Sequence, residues 1–238
     1  MKISKEKCIA CKACHPYCSV GAISFVLWEE KKKSEVAQAD CVECGACLRS
    51  GVCPTNAIFM PELDWPRKIR AHFSNPYAGP LPGLKGAAPP PDPKLNEVTG
   101  RIPEGVTVVA VEVGRPGVGA SFRDVQEICK ALSGAGVTFD PGSSVTGLMA
   151  NPAAGELREE ILNEKGLNVV IHFSIPHQGL LRGLRALMEV SPRINTVFSI
   201  GLSNRLDEDG AIPTASIAEA AGLTLRPHAK TNTGLGRA

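Results

Sequence analysis

Hydrophobic residues follow a regular pattern only from about residue 104 onward. The run Val106–Val113 is rich in β-branched residues and predicts a buried strand. Ser121 is a favourable N-cap, and the apolar residues after it recur at helical spacing, which predicts a helix as far as Leu132. Those apolar residues are Val125, Ile128, Cys129 and Leu132. This region therefore begins with a strand and a helix.

Strand and helix patterns continue to alternate toward the end of the chain. Further strands are predicted at 137–139, 168–175, 194–200 and 223–226, and helices at 156–165, 179–190 and 216–221. Such alternation is typical of a mainly parallel sheet covered by helices. We therefore expect an α+β protein, with a C-terminal α/β domain over residues 104–238 joined to a different N-terminal region.

Residues 61–103 differ in composition, because they hold ten of the 19 prolines in the chain. The stretch 87–93 favours polyproline II and resists helix or sheet. One interpretation is a semi-rigid linker between two domains. The other is an extended docking arm that lies on a partner, since Trp65, Phe73 and Tyr77 are unusual in a solvated spacer. The sequence leaves both open.

Residues 1–60 contain an internal duplication marked by cysteine. Eight of the nine cysteines lie there, and only Cys129, on the apolar face of its predicted helix, stands apart. Each half has three cysteines at two-residue intervals, then a fourth, and ends in Ala-Ile. The first half holds Cys8, Cys11, Cys14 and Cys18, and the second holds Cys41, Cys44, Cys47 and Cys53.

Clustered thiols indicate a metal site when no export signal accompanies them. The first residues lack the apolar stretch of a signal peptide, so we expect a cytoplasmic protein with reduced thiols. Thiolates suit iron–sulfur clusters and zinc, and the spacing separates the two. Structural zinc sites use two cysteine pairs across a long gap, whereas three evenly spaced cysteines suit three corners of a cubane. Iron–sulfur clusters are therefore predicted, with zinc or a disulfide framework as alternatives.

The cysteine run resembles that of the bacterial two-cluster (2×4Fe–4S) ferredoxin family, over residues 1–60 only. In that family the fourth cysteine of each half ligates the cluster of the other half. The resemblance implies two 4Fe–4S clusters in a dicluster domain with pseudo-twofold symmetry. It also implies one ligand set of Cys8, Cys11, Cys14 and Cys53, and another of Cys41, Cys44, Cys47 and Cys18.

Two departures from the family pattern concern the fourth cysteines. Cys18 is followed by Ser19 instead of proline, and five residues separate Cys47 from Cys53 where the family has three. The insertion precedes a cysteine assigned to the opposite cluster, so a longer loop can still deliver it. Without Cys53, the first cluster would be a three-iron species.

The predicted function is one-electron transfer, because a cubane with four thiolate ligands has no open iron site. The formal net charge is +2, which gives no reason to predict a nucleic-acid partner, and no apolar run is long enough for a membrane span. Residues 1–60 carry eight Lys and Arg against six Asp and Glu, and two oxidised clusters with their thiolates would bring their net charge to roughly −2. Such weak charge suits a module held in a fixed assembly. We therefore predict an iron–sulfur subunit of an anaerobic oxidoreductase complex, serving a larger flavin- or metal-containing subunit, with no catalytic residues of its own.

Two alternatives assign a ligand site to the C-terminal region. A self-contained reductase would bind a small molecule there, and a redox-sensing module would bind a small ligand. A glycine turn after one predicted strand and polar residues after two others are the candidates for an anion site, if parallel strands bring their carboxyl ends to one edge. They are Gly117, His177, Ser203 and Arg205. Helix caps and tight turns explain the same residues more simply.

Overall fold

Two hydrophobic cores organise the described part of the chain, which in this computed structural model comprises residues 1–79, 81, 102–115 and 117–226. The smaller core is built from cysteines and aliphatic side chains of residues 1–60. The larger core lies in the C-terminal region and includes Cys129, as predicted. Among the described helices, none has the length and apolar character needed to cross a membrane.

The N-terminal region consists of two antiparallel strand pairs around the cysteine loops. Ile3 faces Ile58 in one pair and Ile23 faces Val36 in the other, and all four side chains are buried. The elements are β1 (Lys2–Ile3) with β4 (Ile58–Phe59), β2 (Ile23–Trp28) with β3 (Lys31–Val36), a 3-10 helix (His15–Tyr17) and α1 (Ala46–Arg49). Strand β1 precedes the first cysteine half and pairs with β4, which follows the second half. Strand β3 precedes the second half and pairs with β2, which follows the first half.

The C-terminal region contains a four-stranded sheet with the order β12-β5-β11-β7, in which all neighbours are antiparallel. Its strands are β5 (Val106–Val113), β7 (Thr138–Phe139), β11 (Val169–Pro176) and β12 (Phe198–Ser203). Two smaller antiparallel pairs are β6 (Ala120–Ser121) with β10 (Lys165–Gly166), and β8 (Met149–Asn151) with β9 (Glu156–Leu157).

The prediction of a mainly parallel sheet is wrong, and the strand order gives the reason. Strands β5 and β7, joined through a helix, do point the same way, but β11 lies between them. Strands β11 and β12 are likewise codirectional, with β5 between them. Each β-α-β unit is therefore split by a strand of the other unit, so no two neighbouring strands are parallel.

Two long helices cover one face of this sheet. Helix α3 (Phe122–Gly134) begins at Ser121, whose hydroxyl accepts a hydrogen bond from the Asp124 amide, as the N-cap prediction expects. Helix α5 (His177–Val190) also matches its prediction. Val109, Val111 and Val113 are fully buried, in alternation with half-buried residues of β5. The short helices are α2 (Lys68–His72), α4 (Ser144–Gly147) and α6 (Ala215–Ala220).

Two predicted elements are wrong. Residues 156–165 form β9, a 3-10 helix (Glu159–Ile161) and the first residue of β10 instead of one charged helix. The Leu157 amide donates to the side-chain oxygen of Gln126 on α3, and the Leu157 side chain is buried, so a tertiary contact overrides helix propensity. Residues 223–226 contain no strand.

The first part of the predicted linker packs against the chain itself. Ile69 is fully buried in the C-terminal core, and the ring of Phe73 lies 5.2 Å from that of Phe122. The Asn168 amide donates to the carbonyl of Phe73 at 3.0 Å. This segment therefore packs against the C-terminal region, and Arg67 also pairs with Glu43 of the N-terminal region. Residues 80 and 82–101 of the predicted linker lie outside the described residues. The domain boundaries at 60 and 103 stay predictions.

Candidate metal centres

The two cysteine loops share two left-handed backbone positions. Positive φ angles occur two and four residues after the first cysteine of each half, at Ala10 (59°), Lys12 (67°), Glu43 (56°) and Gly45 (72°). Left-handed backbone costs an L-residue roughly 1–2 kcal/mol, so three of these positions carry strain. Strain of this kind is retained where the surroundings impose it, commonly at functional sites. The duplication is therefore one of structure as well as sequence.

Four cysteines from both halves line one cavity, which we call site 1. They are Cys8, Cys11, Cys14 and Cys53. Apolar side chains close much of the remaining wall, including Ile3 and Ile58. Burial raises the pKa of the Cys14 thiol, and the charges of Cys11 and Cys53 contribute to that rise. The longer loop before Cys53 thus delivers this thiol to the loop of the first half.

The other four cysteines form a second group, which we call site 2. Its thiols are Cys18, Cys41, Cys44 and Cys47. The pKa of the Cys47 thiol is raised to about 11, first by burial and then by the charges of Cys44, Cys18 and Cys41. Metal binding requires thiolates and releases protons, so a bound cation would reverse this rise. Each site therefore combines three cysteines of one half with the fourth of the other.

Backbone amides donate to the sulfurs at equivalent places in the two halves. The Ala22 amide lies 3.1 Å from Cys18 Sγ, and the Ala57 amide lies 3.2 Å from Cys53 Sγ. At Cys53 burial opposes ionisation, but hydrogen bonds from the backbone of Ala57 and the hydroxyl of Thr55 lower the pKa of the thiol below its usual value. Such donors stabilise ligating thiolates and help to set the potential of an iron–sulfur cluster.

The surroundings of site 2 tie it to other parts of the chain. Glu43 is fully buried and pairs with the α-amino group of Met1 and with Arg67. Arg70 is only 6% exposed, and its guanidinium donates to the Cys41 carbonyl at 2.8 Å. The same guanidinium binds the carboxylate of Glu164 in the C-terminal region. Site 2 therefore rests on a buried network of charges.

The surroundings of site 1 are more exposed. Cys11 is exposed, and Lys12 beside it lines the same cavity. The Lys33 ammonium donates to the Cys8 carbonyl at 2.6 Å, and the Ser34 amide lies 3.3 Å from Cys8 Sγ. The hairpin of β2 and β3 thus supports site 1, and its outer rim meets solvent.

The arrangement of four cysteines at each site suits an iron–sulfur cluster better than a single metal ion. Within the residues that the structure describes, no three His, Cys, Asp or Glu side chains lie close enough to hold a single metal ion. A 4Fe–4S cubane makes a different demand, because each thiolate binds its own iron at one corner. Four cysteines around a cavity with largely apolar walls meet that demand.

The comparisons agree with this chemistry. Residues 1–60 match a family model described as a 4Fe-4S dicluster domain. This region is therefore an iron–sulfur segment of the ferredoxin type, and 4Fe–4S clusters and electron transfer are its supported chemistry. The match covers 60 of the 238 residues. No curated protein and no solved structure matched the chain.

The four residues predicted for an anion site do not lie at one place. Gly117 follows β5, whereas His177 follows β11, and these strands run in opposite directions. The His177 amide donates to the carbonyl of Gly105, before β5 begins, and Ser203 faces Val108 near the same end. Arg205 follows Ser203 closely in the chain. Eight residues of β5 span about 25 Å, which separates Gly117 from the others.

Sequence reasoning missed the side chains that support the cysteine loops. Glu43, Arg70 and Ser34 are buried polar residues at the two sites, and none belongs to the cysteine pattern. Glu43 carried one available signal, because a carboxylate between two cysteines of an apolar loop needs a positive partner. Arg70 gave none, since its carboxylate partner Glu164 lies 94 residues away.

Proposed function

We propose that this chain is an iron–sulfur electron-transfer subunit that holds two 4Fe–4S clusters, one in each site. The observation that carries the proposal is the exchange of fourth cysteines between the halves. Cys53 shares a cavity with the first three thiols of the first half. In the second half, the charge of Cys18 contributes to the raised pKa of the Cys47 thiol. A zinc site or a disulfide would not require such an exchange.

The residues around each site have roles in binding and tuning. A bound 4Fe–4S cluster accepts or gives up one electron at a time, with no open coordination position for a substrate. The Ala22 and Ala57 amides stabilise negative charge on the fourth sulfur of each set. Ile3 and Ile58 limit the access of water to site 1.

We further propose that the chain serves a larger oxidoreductase subunit, flavin- or metal-containing, in an anaerobic complex of the cytoplasm. The support is the weak charge of residues 1–60, which carry eight Lys and Arg against six Asp and Glu and would reach roughly −2 with two oxidised clusters bound. Such weak charge suits a permanently docked module. Anaerobic purification from the native host would test this proposal. A larger subunit should elute with the chain in fixed ratio, and turnover by the isolated chain would contradict it.

Counting iron and sulfide in cysteine variants tests the cluster proposal itself. Anaerobically prepared protein should contain about eight irons and eight sulfides per chain. Cys53→Ala should lose iron from site 1 alone and Cys18→Ala from site 2 alone, as followed by EPR of the reduced protein. Cys129→Ala is the matched control, because Cys129 is fully buried in the C-terminal core, and it should keep all the iron. Zinc in place of iron, or equal loss from both sites in either variant, would contradict the proposal.

A further inference from the structure

The outer rim of site 1 continues into an exposed surface of mixed apolar and basic character, which we call the site-1 face. Leu27 is 82% exposed and Ile9 is 62% exposed, and both are large aliphatic side chains. Two lysines and two further side chains complete it. The site-1 face consists of Ile9, Cys11, Lys12, Phe25, Leu27 and Lys32.

Contacts make this surface continuous. Ile9, Cys11 and Lys12 line the site-1 cavity together. The His15 amide donates to the Lys12 carbonyl, and the His15 ring lies 4.7 Å from the ring of Phe25. The Lys32 ammonium lies 4.3 Å above the Phe25 ring, and Lys32 faces Leu27 across the hairpin. Shared lining of the cavity, one backbone hydrogen bond, two ring contacts and one strand pairing thus connect Cys11 with Leu27 by way of His15.

The site-1 face carries two lysines and no Asp or Glu, while the exposed turn between Leu27 and Lys32 carries Glu29 and Glu30. Residues 1–36 carry seven lysines and four glutamates, whereas residues 37–60 carry one arginine against one aspartate and one glutamate. Glu35 is already paired with Lys5 at 2.9 Å. Within the described residues, no carboxylate lies within ion-pair distance of Lys12 or Lys32. Both ammonium groups are therefore available to an outside partner.

We propose that the site-1 face docks a freely diffusing electron-carrier protein whose own surface is acidic, so that electrons enter or leave the chain at site 1. This inference rests on the proposed electron-transfer function. One electron passes between the redox centre of the carrier and site 1; the donor is oxidised by one electron, the acceptor is reduced by one, and no covalent bond forms or breaks. Site 2 then faces the rest of the assembly.

Three features favour an acidic protein as the partner. Opposite charge accelerates encounter, and lysines at the rim of an interface act mainly on the association rate. Exposed Leu27 and Ile9 supply the apolar centre that a protein interface uses and that a nucleic-acid phosphate backbone would not need. The exposed position of Cys11 brings the partner close to the site itself.

A purified acidic two-cluster ferredoxin is a suitable probe of this face. The variant is Lys12→Glu with Lys32→Glu, and the matched control is Lys68→Glu with Lys130→Glu, two lysines of α2 and α3 outside the face. Electron exchange with wild-type protein should slow as salt increases, and the face variant should be at least about tenfold slower at low salt. The control should change less than about twofold.

Two further measurements do not depend on electron transfer. Acetic anhydride labelling with mass spectrometry should show Lys12 and Lys32 protected by the oxidised probe, with Lys68 and Lys130 unprotected. Titration calorimetry should show weaker binding of the probe to Leu27→Ser, because the apolar centre is lost.

Equal protection of all four lysines, or equal rates for the face and control variants, would overturn the inference. Stronger protection by duplex DNA or anionic lipid vesicles than by the probe would also overturn it.

The docking inference and the cluster proposal fail in different ways. If the wild-type chain lacks iron, or dithionite does not reduce it, the cluster proposal fails whatever the lysines do. If the wild-type and face variants both hold the full iron content and dithionite reduces both equally, any difference with the acidic probe reports docking alone. Under those conditions, an unchanged rate in the face variant rejects the docking inference and leaves the cluster proposal intact.

Discussion

Site 1 and site 2 are built on the same loop, repeated after 33 residues, yet they have different neighbours. At site 1 the supporting hairpin contributes lysines and exposed aliphatic residues, and one cysteine is open to solvent. At site 2 the loop is fixed by buried charges, among them Glu43 and Arg70. The repeated loop accounts for the common arrangement of cysteines, and the unrepeated surroundings make the sites inequivalent.

The difference suggests how one module can work between two partners. An exposed site with a basic rim suits brief encounters, since steering by charge acts on the rate of association. A site whose loop is held by buried charges against the C-terminal region suits a permanent arrangement. In a relay the two ends require these opposite properties, and altering one set of surroundings should affect one site more than the other.

Removal of Arg70 should have the largest effect. Arg70→Ala leaves the Glu164 carboxylate buried without its partner, and it removes a donor from the carbonyls of Gln38, Ala39 and Cys41. Breaking a buried ion pair costs about 3–5 kcal/mol, so the free energy of unfolding should fall by that order. Site 2 should lose its EPR signal before site 1. Anaerobic denaturant unfolding, followed by EPR and visible absorbance, measures both.

The matched control for Arg70 lies at site 1. The Lys5 side chain is 17% exposed, pairs with the half-exposed Glu35 and donates to the carbonyl of Ser34. Together these interactions contribute about 1 kcal/mol. Lys5→Ala should therefore lower the free energy of unfolding by only about 1 kcal/mol and leave both EPR signals intact. Equal effects of the two substitutions would show that the surroundings of the sites do not differ as described.

The contrast between local and distant partners also explains what the sequence could predict. The cysteine loops were predictable because their ligands lie within a few residues of one another, at a spacing that few metal sites share. The helix starting after Ser121 was predictable for the same reason, since an N-cap and an apolar period are local signals. The assignment of Cys53 and Cys18 to opposite sites came from the family resemblance, and their positions are consistent with it.

Features that depend on distant residues were not predictable. The direction of the sheet depends on whether a strand from elsewhere enters each β-α-β unit, and the alternating pattern is the same in both cases. The anion-site prediction assumed parallel strands. Because β5 and β11 are antiparallel, Gly117 lies at the opposite end of the sheet from the other three residues. The contact of Arg70 with Glu164 likewise joins two segments with no pattern in common.

Substitutions at the left-handed positions should have the next largest effect, and they compare the two loops directly. Gly45 and Lys12 occupy equivalent places with φ of 72° and 67°. Gly45→Ala should lower the free energy of unfolding by about 1–2 kcal/mol, because it places a side chain where the backbone is left-handed. Its Cβ would also approach the guanidinium of Arg49, which has to move.

The reverse substitution relieves strain in the other loop. Lys12→Gly should be neutral to within about 1 kcal/mol, since the relief of strain offsets the greater chain entropy of glycine in the unfolded state. Denaturant unfolding of both variants, with iron content as a check on assembly, gives the comparison. A large loss in Lys12→Gly with none in Gly45→Ala would mean that the two loops do not share one backbone requirement.

The smallest effect should come from single hydroxyl groups near the sulfurs. The Ser34 side chain is buried and contacts His15 at 3.0 Å. Burial raises the pKa of the Cys14 thiol, and a hydrogen bond from Ser34 opposes that rise. The exposed Ser19 hydroxyl lies 3.6 Å from Cys44 Sγ at site 2. A hydrogen bond contributes about 0.5–1.5 kcal/mol, which for one electron corresponds to roughly 20–60 mV.

Ser34→Ala should therefore lower the potential of site 1 by roughly 20–60 mV and leave site 2 unchanged, because the donor stabilises the more negative, reduced state. Ser19→Ala should act on site 2 alone and by less, since water replaces an exposed donor. Redox titration followed by EPR resolves the two signals. A shift of both potentials by either substitution would mean that the two sites are not electrostatically separate. The contrast between an exposed site 1 and a site 2 fixed by buried charges would then have to be abandoned.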